Sequence, residues 1–574
     1  MSHRTRSTRS TRSTHSTHRT PTTRITPTTR STSVLVALTA CTALALSACG
    51  GVEGAGGGRT GTPELTESMP PATSGVETLR WALYAEPSSL DPIYSNDFPP
   101  MEVLANVCES LLRIDPDLSL KPSLAASWSN PDPLTWVYEL RPGVTLHSGA
   151  ELTAEDVAYS LGRNLDKKLG SYHDAVYQNV KSIEATGERR ITVRLSTPDA
   201  QFNQAMATPA GRIVGRAQAE RAGERLGRPD GGIDCTGPFA LADWSAGESI
   251  TIERHEGYWD RPRAAKPGKV EFEFIRDPAA RTTAMLAGEL DGSWFVPASG
   301  YGKLLAQGGT AAPEGESLYF GRTSGSYVGM VTDLKGPLAD VRIRRALSLA
   351  IDREGIISAA VSGAAEPLKA PAAPGTWGYA QKELKAAYEA LPEPGGPVEE
   401  AKKLVAEAGA PAEPITIAVT GSQSEMPVIG TEVKRAGEAI GLKVDIKTLP
   451  ADNYNALYSD AKAREGIDML FSLWQADYPD PTAIYQYLRT GDTFNFAGFS
   501  DPEFDRLIDE AKATADTGRR AELISRAQEI AVEQSVWIPL YTPFNPLYLK
   551  PGLTGAPLNS VQLTYPWAAG IGKP

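Results

Sequence analysis

Among side chains able to do covalent or metal chemistry, this sequence offers four cysteines and six histidines, and their spacing sorts them into different uses. Cys49 ends the run Leu46-Ser47-Ala48-Cys49, where small residues precede a Cys directly after an apolar stretch, and Gly50 follows. Small residues at those positions suit a signal-peptidase pocket, and the Cys sulfur is placed to take diacylglycerol, which would make Cys49 a lipidated N-terminus. The plain alternative is an ordinary cleavage site beside an incidental Cys. Cys41 leaves with the leader, so the exported chain keeps two further cysteines, Cys108 and Cys235. An even pair outside the cell points to one disulfide, against the alternative of two separate buried thiols. A secreted hydrolase would need a nucleophile with its base, or a metal site. After the leader only His147, His173 and His255 remain, none in H-E-x-x-H spacing, and no G-x-S-x-G elbow occurs. The expectation is therefore binding without catalysis and without a cofactor.

The elements around these residues explain how the chain is delivered. The first 30 residues carry seven arginines and no acid, a basic n-region, and Val34–Ala48 then turns apolar and small. That stretch fits a signal h-region and falls short of the ~20 residues a spanning helix needs, so residues 1–48 read as an export signal. Residues 49–75 supply the lipidated Cys and a Gly-, Pro- and Thr-rich stretch with no apolar period, as a flexible tether should. Loss of the seven arginines takes the formal charge from −12 to −19, which speaks against nucleic acid or anionic lipid as partners. The remainder is too long for one hydrophobic core, so two or three domains are expected.

The mature chain alternates strands and helices. Thr135–Arg141 places Trp136, Tyr138 and Leu140 on one face with the period of a strand, and Pro142-Gly143 turns the chain. Thr153 and Asp156 form a capping box ahead of Val157 and Leu161, which predicts a helix start. Pro397 to Gly409 reads as a helix stopped by Gly, followed by a strand from Pro414 to Val419. Residues 500–503 cap a further helix, whose apolar stripe is Phe504, Leu507, Ile508 and Ala511. The fold class is α/β.

Six blocks in order resemble the extracellular solute-binding proteins of family 5, which include the oligopeptide, dipeptide and nickel binders of ABC importers. They are Leu90-Asp91-Pro92 with Glu109–Leu112 and Leu124–Trp128; Trp136–Arg141 with His147-Ser148-Gly149 and Leu152–Val157; Thr236–Phe239 with Arg254 and Tyr258-Trp259; Ala287–Asp291; Val341–Leu347; and Ile351-Asp352-Arg353. The resemblance implies a periplasmic-binding-protein-like type II fold, with two lobes around a ligand cleft, hinge crossings and an extra small domain. Carried onto this sequence, lobe I would be 76–115 with 233–325 and 536–574, the extra domain 116–232, and lobe II 326–535. Cys108 and Cys235 would then both lie in lobe I, close to its two crossings.

The resemblance further implies a monomer at the outer face of the cytoplasmic membrane that closes on a peptide and hands it to a permease. A peptide's ammonium, taken out of water, needs a carboxylate partner. In Leu473-Trp474-Gln475-Ala476-Asp477-Tyr478, Asp477 matches the family's Asp that pairs with the α-amino group, with Trp474 as a pocket wall. The alternatives are that Asp477 starts the tight turn of residues 476–481 and that Trp474 is plain core. Tyr327 matches the strand that runs beside the peptide, or is simply a strand residue. The chain departs from peptide binders at Asn453-Tyr454, where some carry a pocket Trp. The same fold holding a metal chelate or saccharide, or acting as a peptide-signal receptor, is the rival reading.

Overall fold

The computed structural model describes residues 63–307 and 317–574; the expected leader (1–48), Cys49 and residues 50–62 of the expected tether lie outside the described residues, whereas 63–75, expected as tether, lie against the folded body, with the Thr66 amide donating to Phe320 O and the Thr73 amide to Lys573 O. Local signals act where they were expected. In the strand Thr135–Leu140 the side chains of Trp136, Tyr138 and Leu140 are buried, and the neighbouring Val137 and Glu139 are partly open. The Thr153–Asp156 capping box closes in both directions at the start of the helix Ala154–Gly162. The helix Val398–Ala408 ends on Gly409 at φ 79°, and Ile415–Thr420 follows as a strand. In the helix Pro502–Ala513 the cap is Asp501, whose carboxylate accepts from the Glu503 and Phe504 amides, with Pro502 in the first turn.

Four antiparallel strands, in the order Ala125–Asp132, Thr135–Leu140, Arg190–Leu195 and Val180–Gly187, form a separate small sheet. Its apolar face gathers Tyr138, Val157, Ile191 and Phe202 into a core of its own. The chain leaves for this region beside Cys108 and returns at Cys235, which are joined in a disulfide with Cα atoms 4.9 Å apart. Both sulfurs are buried. Gly237 closes the same corner: its amide donates to Val107 O, and a Cβ there would lie 2.5 Å from that oxygen, so only glycine fits.

The remaining strands make one large mixed sheet with two cores. One core, around Leu79, Trp81, Phe272 and Trp567, lies on Thr78–Leu83, Lys269–Phe274 and Gly292–Trp294, whose mutual pairing is parallel. The other, around Val328, Leu470, Phe471 and Trp537, lies on Ile415–Thr420, Val444–Leu449, Met469–Gln475 and Gly325–Val331. The 13-residue strand Trp537–Leu549 belongs to both. Its first half pairs with Gly325–Val331, and its second half with Leu318–Arg322 and Gly292–Trp294. Leu318–Arg322 runs straight into Gly325–Val331 through Thr323 and Ser324, so two adjacent chain crossings join the halves. Two packed cores joined by a pair of strands is the arrangement a hinge requires. Among the described residues no helix is long and apolar enough to cross a membrane.

Candidate functional site

Strand register locates the site. In one half, Gly292 pairs with Leu549 and Trp294 with Leu547, so the carboxyl end of that strand points down the crossing strand toward Phe544. In the other half, Met330 pairs with Trp537 and Tyr327 with Tyr541, while Met330 and Tyr327 also face Leu470 and Leu473. The carboxyl end of Met469–Gln475 therefore points up the same strand from the opposite side. Carboxyl ends from both halves converge on the crossing between Tyr541 and Leu547, and open α/β sheets bind ligands at such ends.

Asp477 stands two residues beyond the end of Met469–Gln475. The crossing holds its segment directly, since Ser324 Oγ donates to Ala476 O at 3.0 Å. The turn that follows is anchored by a different aspartate. Buried Asp480 accepts from Tyr379 Oη at 3.0 Å and from the Thr482 amide at 2.9 Å, and lies 3.6 Å from the Arg520 guanidinium. Asp477 itself makes no hydrogen bond or ion pair to any described residue. Its carboxylate is open to water on one side, yet protein crowds the others, and this desolvation pushes its pKa above the ordinary aspartate value. An unpaired carboxylate held in a crowded, water-accessible recess can receive a cation from solution.

Trp474 shares that recess. Its ring packs against Tyr487 and Phe494, both 4.8 Å away between centroids, and against Trp537 at 5.2 Å. Its indole N–H points at Met330 Sδ. Burial pushes the Tyr487 hydroxyl up to about 12, and the charge of Asp477 adds to the shift. Tyr327 lies elsewhere. It faces Leu473 and Tyr541 across the sheet, stacked on Tyr541 at 4.9 Å, whereas Trp474 pairs with Ser326 and so projects from the opposite face. The structure thus links Asp477 to Trp474 through Tyr487, which packs on the one and feels the charge of the other, and sets Tyr327 on the opposite face of the sheet from Trp474. Tyr327 is buried with its hydroxyl unpartnered, and burial raises its pKa. Beside it Leu473 is 48% exposed, an unusual state for a large apolar residue in mid-sheet. Tyr454 is committed internally, its hydroxyl donating to Phe471 O at 2.7 Å and accepting from the Phe471 amide.

The facing half presents residues that sequence reasoning missed. Tyr84 follows the strand Thr78–Leu83 and Phe295 follows Gly292–Trp294. Phe295 adopts φ 54°, a left-handed conformation costly for an aromatic residue. Its ring packs at a tilt against Phe98, 4.2 Å between centroids, and Tyr84 donates to Asp97 at 2.7 Å. Tyr487, Phe494 and Trp537 were likewise missed, because they come from separate segments and share no spacing with Trp474.

Comparison with known proteins decides the family. The model for bacterial extracellular solute-binding proteins, family 5 (middle), matches residues 119–496. The chain belongs to this family. Its relatives include the dipeptide-binding protein DppE of Bacillus subtilis, 28% identical over 86% of this chain and 92% of that one. The periplasmic oligopeptide-binding protein OppA of Escherichia coli is 26% identical, with 82% and 88% covered. Heme-binding protein A of Haemophilus influenzae is 29% identical, with 74% and 80% covered. Among solved structures, the unliganded open form of the murein tripeptide binding protein MppA superposes with a TM-score of 0.75 at 23% identity, covering 88% of this chain and 98% of that one. Haemophilus influenzae OppA in complex with RPPGFSPFR gives 0.64 at 22% identity, with 87% and 99% covered. The two-lobe binding-protein fold is thereby established, and family members are solute-binding proteins. The relatives' names span peptides and haem, so membership alone leaves the ligand open.

Proposed function

We propose that this chain is a lipid-anchored binder that captures extracellular peptides by hinge closure and delivers them to an ABC permease, acting as a monomer. In this reading residues 76–115, 233–325 and 536–574 form lobe I, 116–232 the extra domain and 326–535 lobe II. The observation that carries it is the Asp477 carboxylate, unpaired beside the aromatic wall of Trp474, while Asp480 takes over the structural work of the turn. A peptide offers a cationic amine to the first and an apolar side chain to the second. Tyr327, on the neighbouring strand but the opposite face, is kept as a separate candidate contact because its hydroxyl has no protein partner. The dipeptide- and oligopeptide-binding relatives support the substrate class.

Mass spectrometry of ligands released by denaturing the purified exported chain tests this reading. Short peptides of mixed sequence are expected. A single non-peptide species would keep the binding role and overturn the substrate.

The anchor has its own test. Cys49→Ala is expected to release the protein from the cell surface to the medium. Membrane fractions that retain it undiminished would contradict lipidation at this residue.

A further inference from the structure

We propose that the chain carries a second ligand site, for a compact phosphate-type anion, remote in sequence from the Asp477 recess. It is an open cavity of about 410 Å³ between the hairpin of Leu112–Ile114 with Leu120–Pro122 and the turn at Trp259–Arg263. Arg113, Lys121, Arg141 and Arg263 line it, against two carboxylates, Asp115 and Asp260.

The protein neutralises these cations only in part. Arg113 and Lys121 sit directly opposite one another in the antiparallel hairpin, an arrangement that destabilises pairing unless negative charge lies between or beside them. Asp115 is shared, 2.5 Å from Arg113 and 4.0 Å from Arg263, and Asp260 binds Arg263 at 2.8 Å. Lys121 and Arg141 form no ion pair among the described residues, and Lys121 acts at longer range on the exposed Asp117 just outside the lining. The lining therefore holds two more positive than negative charges, in a chain whose formal charge is −12.

The site is also rigid. Arg141 Nε donates to Ser123 O at 2.7 Å, and the guanidinium lies over the Trp259 ring at 5.3 Å from its centroid. Trp259 is fixed in turn by its N–H to Glu109 at 2.8 Å, and Tyr258 Oη donates to the same carboxyl at 2.8 Å. Burial pushes Glu109 up to about 7, so at neutral pH it adds only part of a negative charge behind the ring. Forked guanidinium N–H groups held in plane match the oxygen geometry of phosphate, and Lys121 supplies a point charge. A phosphate dianion, free or as the terminal group of a small solute, balances the surplus.

Calorimetric titration of the purified exported chain with inorganic phosphate and with glycerol phosphate, at low ionic strength, tests the site. Saturable binding at one equivalent is expected, weakened at least tenfold by Lys121→Gln and by Arg141→Gln. Lys121→Gln removes a side chain that forms no ion pair among the described residues, so it guards against misfolding of the second variant; unchanged melting temperature confirms the comparison. Tighter binding of the ester assigns an esterified solute, and tighter binding of inorganic phosphate assigns the free ion. No saturable binding of either probe, or equal affinity in wild type and Lys121→Gln, overturns the proposal.

Discussion

Asp477→Asn is expected to weaken binding of free-amine peptides by ~3 kcal/mol, roughly 100-fold, and to leave N-acetylated peptides within a few-fold of wild type. The substitution keeps side-chain volume and removes the charge. The carboxylate has no partner of its own in the unliganded protein, so its charge is available to neutralise an incoming ammonium. The raised pKa gives the sign of the pH dependence. Affinity for free-amine peptides should be full where Asp477 is ionised and fall as pH drops through its elevated pKa, while acetylated peptides show no such fall. Stability supplies a second discriminant. A carboxyl whose folded-state pKa is raised destabilises the fold once ionised, so Asp477→Asn should leave the unliganded melting temperature unchanged or higher at neutral pH. A residue needed for the turn would lower it. Equal loss of affinity for both peptide classes would remove Asp477 from the ammonium site.

Opening the Cys108–Cys235 bridge by replacing both residues with Ser is expected to cost about 2–5 kcal/mol of stability. The bridge spans 127 residues of chain, so it removes a large closure entropy from the unfolded state. The cost should appear as a melting transition lowered by roughly 2–5 °C. Reducing agent should shift the wild-type curve toward that of the variant. Ligand affinity well below the lowered transition should be unaffected, because neither sulfur approaches the Asp477 recess in the described contacts. A melting curve insensitive to both treatments would show that the bridge does not constrain the exported protein.

Much of the fold was legible because its signals are short-range. Alternation of Trp136, Tyr138 and Leu140 settles which face of a strand is buried, and Thr153 with Asp156 settles where a helix begins. The family blocks then ordered these elements. Tyr327 and Trp474 mark where this reading reaches its end. Both were expected to act on the ligand together, but their strands meet in a register that pairs Tyr327 with Leu473 and Ser326 with Trp474, sending the two rings to opposite faces. A register between strands some 140 residues apart in sequence leaves no trace in either strand alone.

The aspartates of residues 476–481 show the division most clearly. By itself the sequence determined that an acidic turn follows the strand ending in Trp474-Gln475, that Cys49 follows small residues after an apolar stretch, and that Cys108 and Cys235 are the only cysteines beyond it. It pointed to Asp477, as ammonium partner or as the start of the turn, and left Asp480 unremarked. Only the tertiary structure showed that Arg520 and Tyr379 come to Asp480, while no hydrogen-bond or ion-pair partner among the described residues comes to Asp477. A carboxylate's role depends on whether its charge is already satisfied, and the groups that satisfy it arrive from distant parts of the chain.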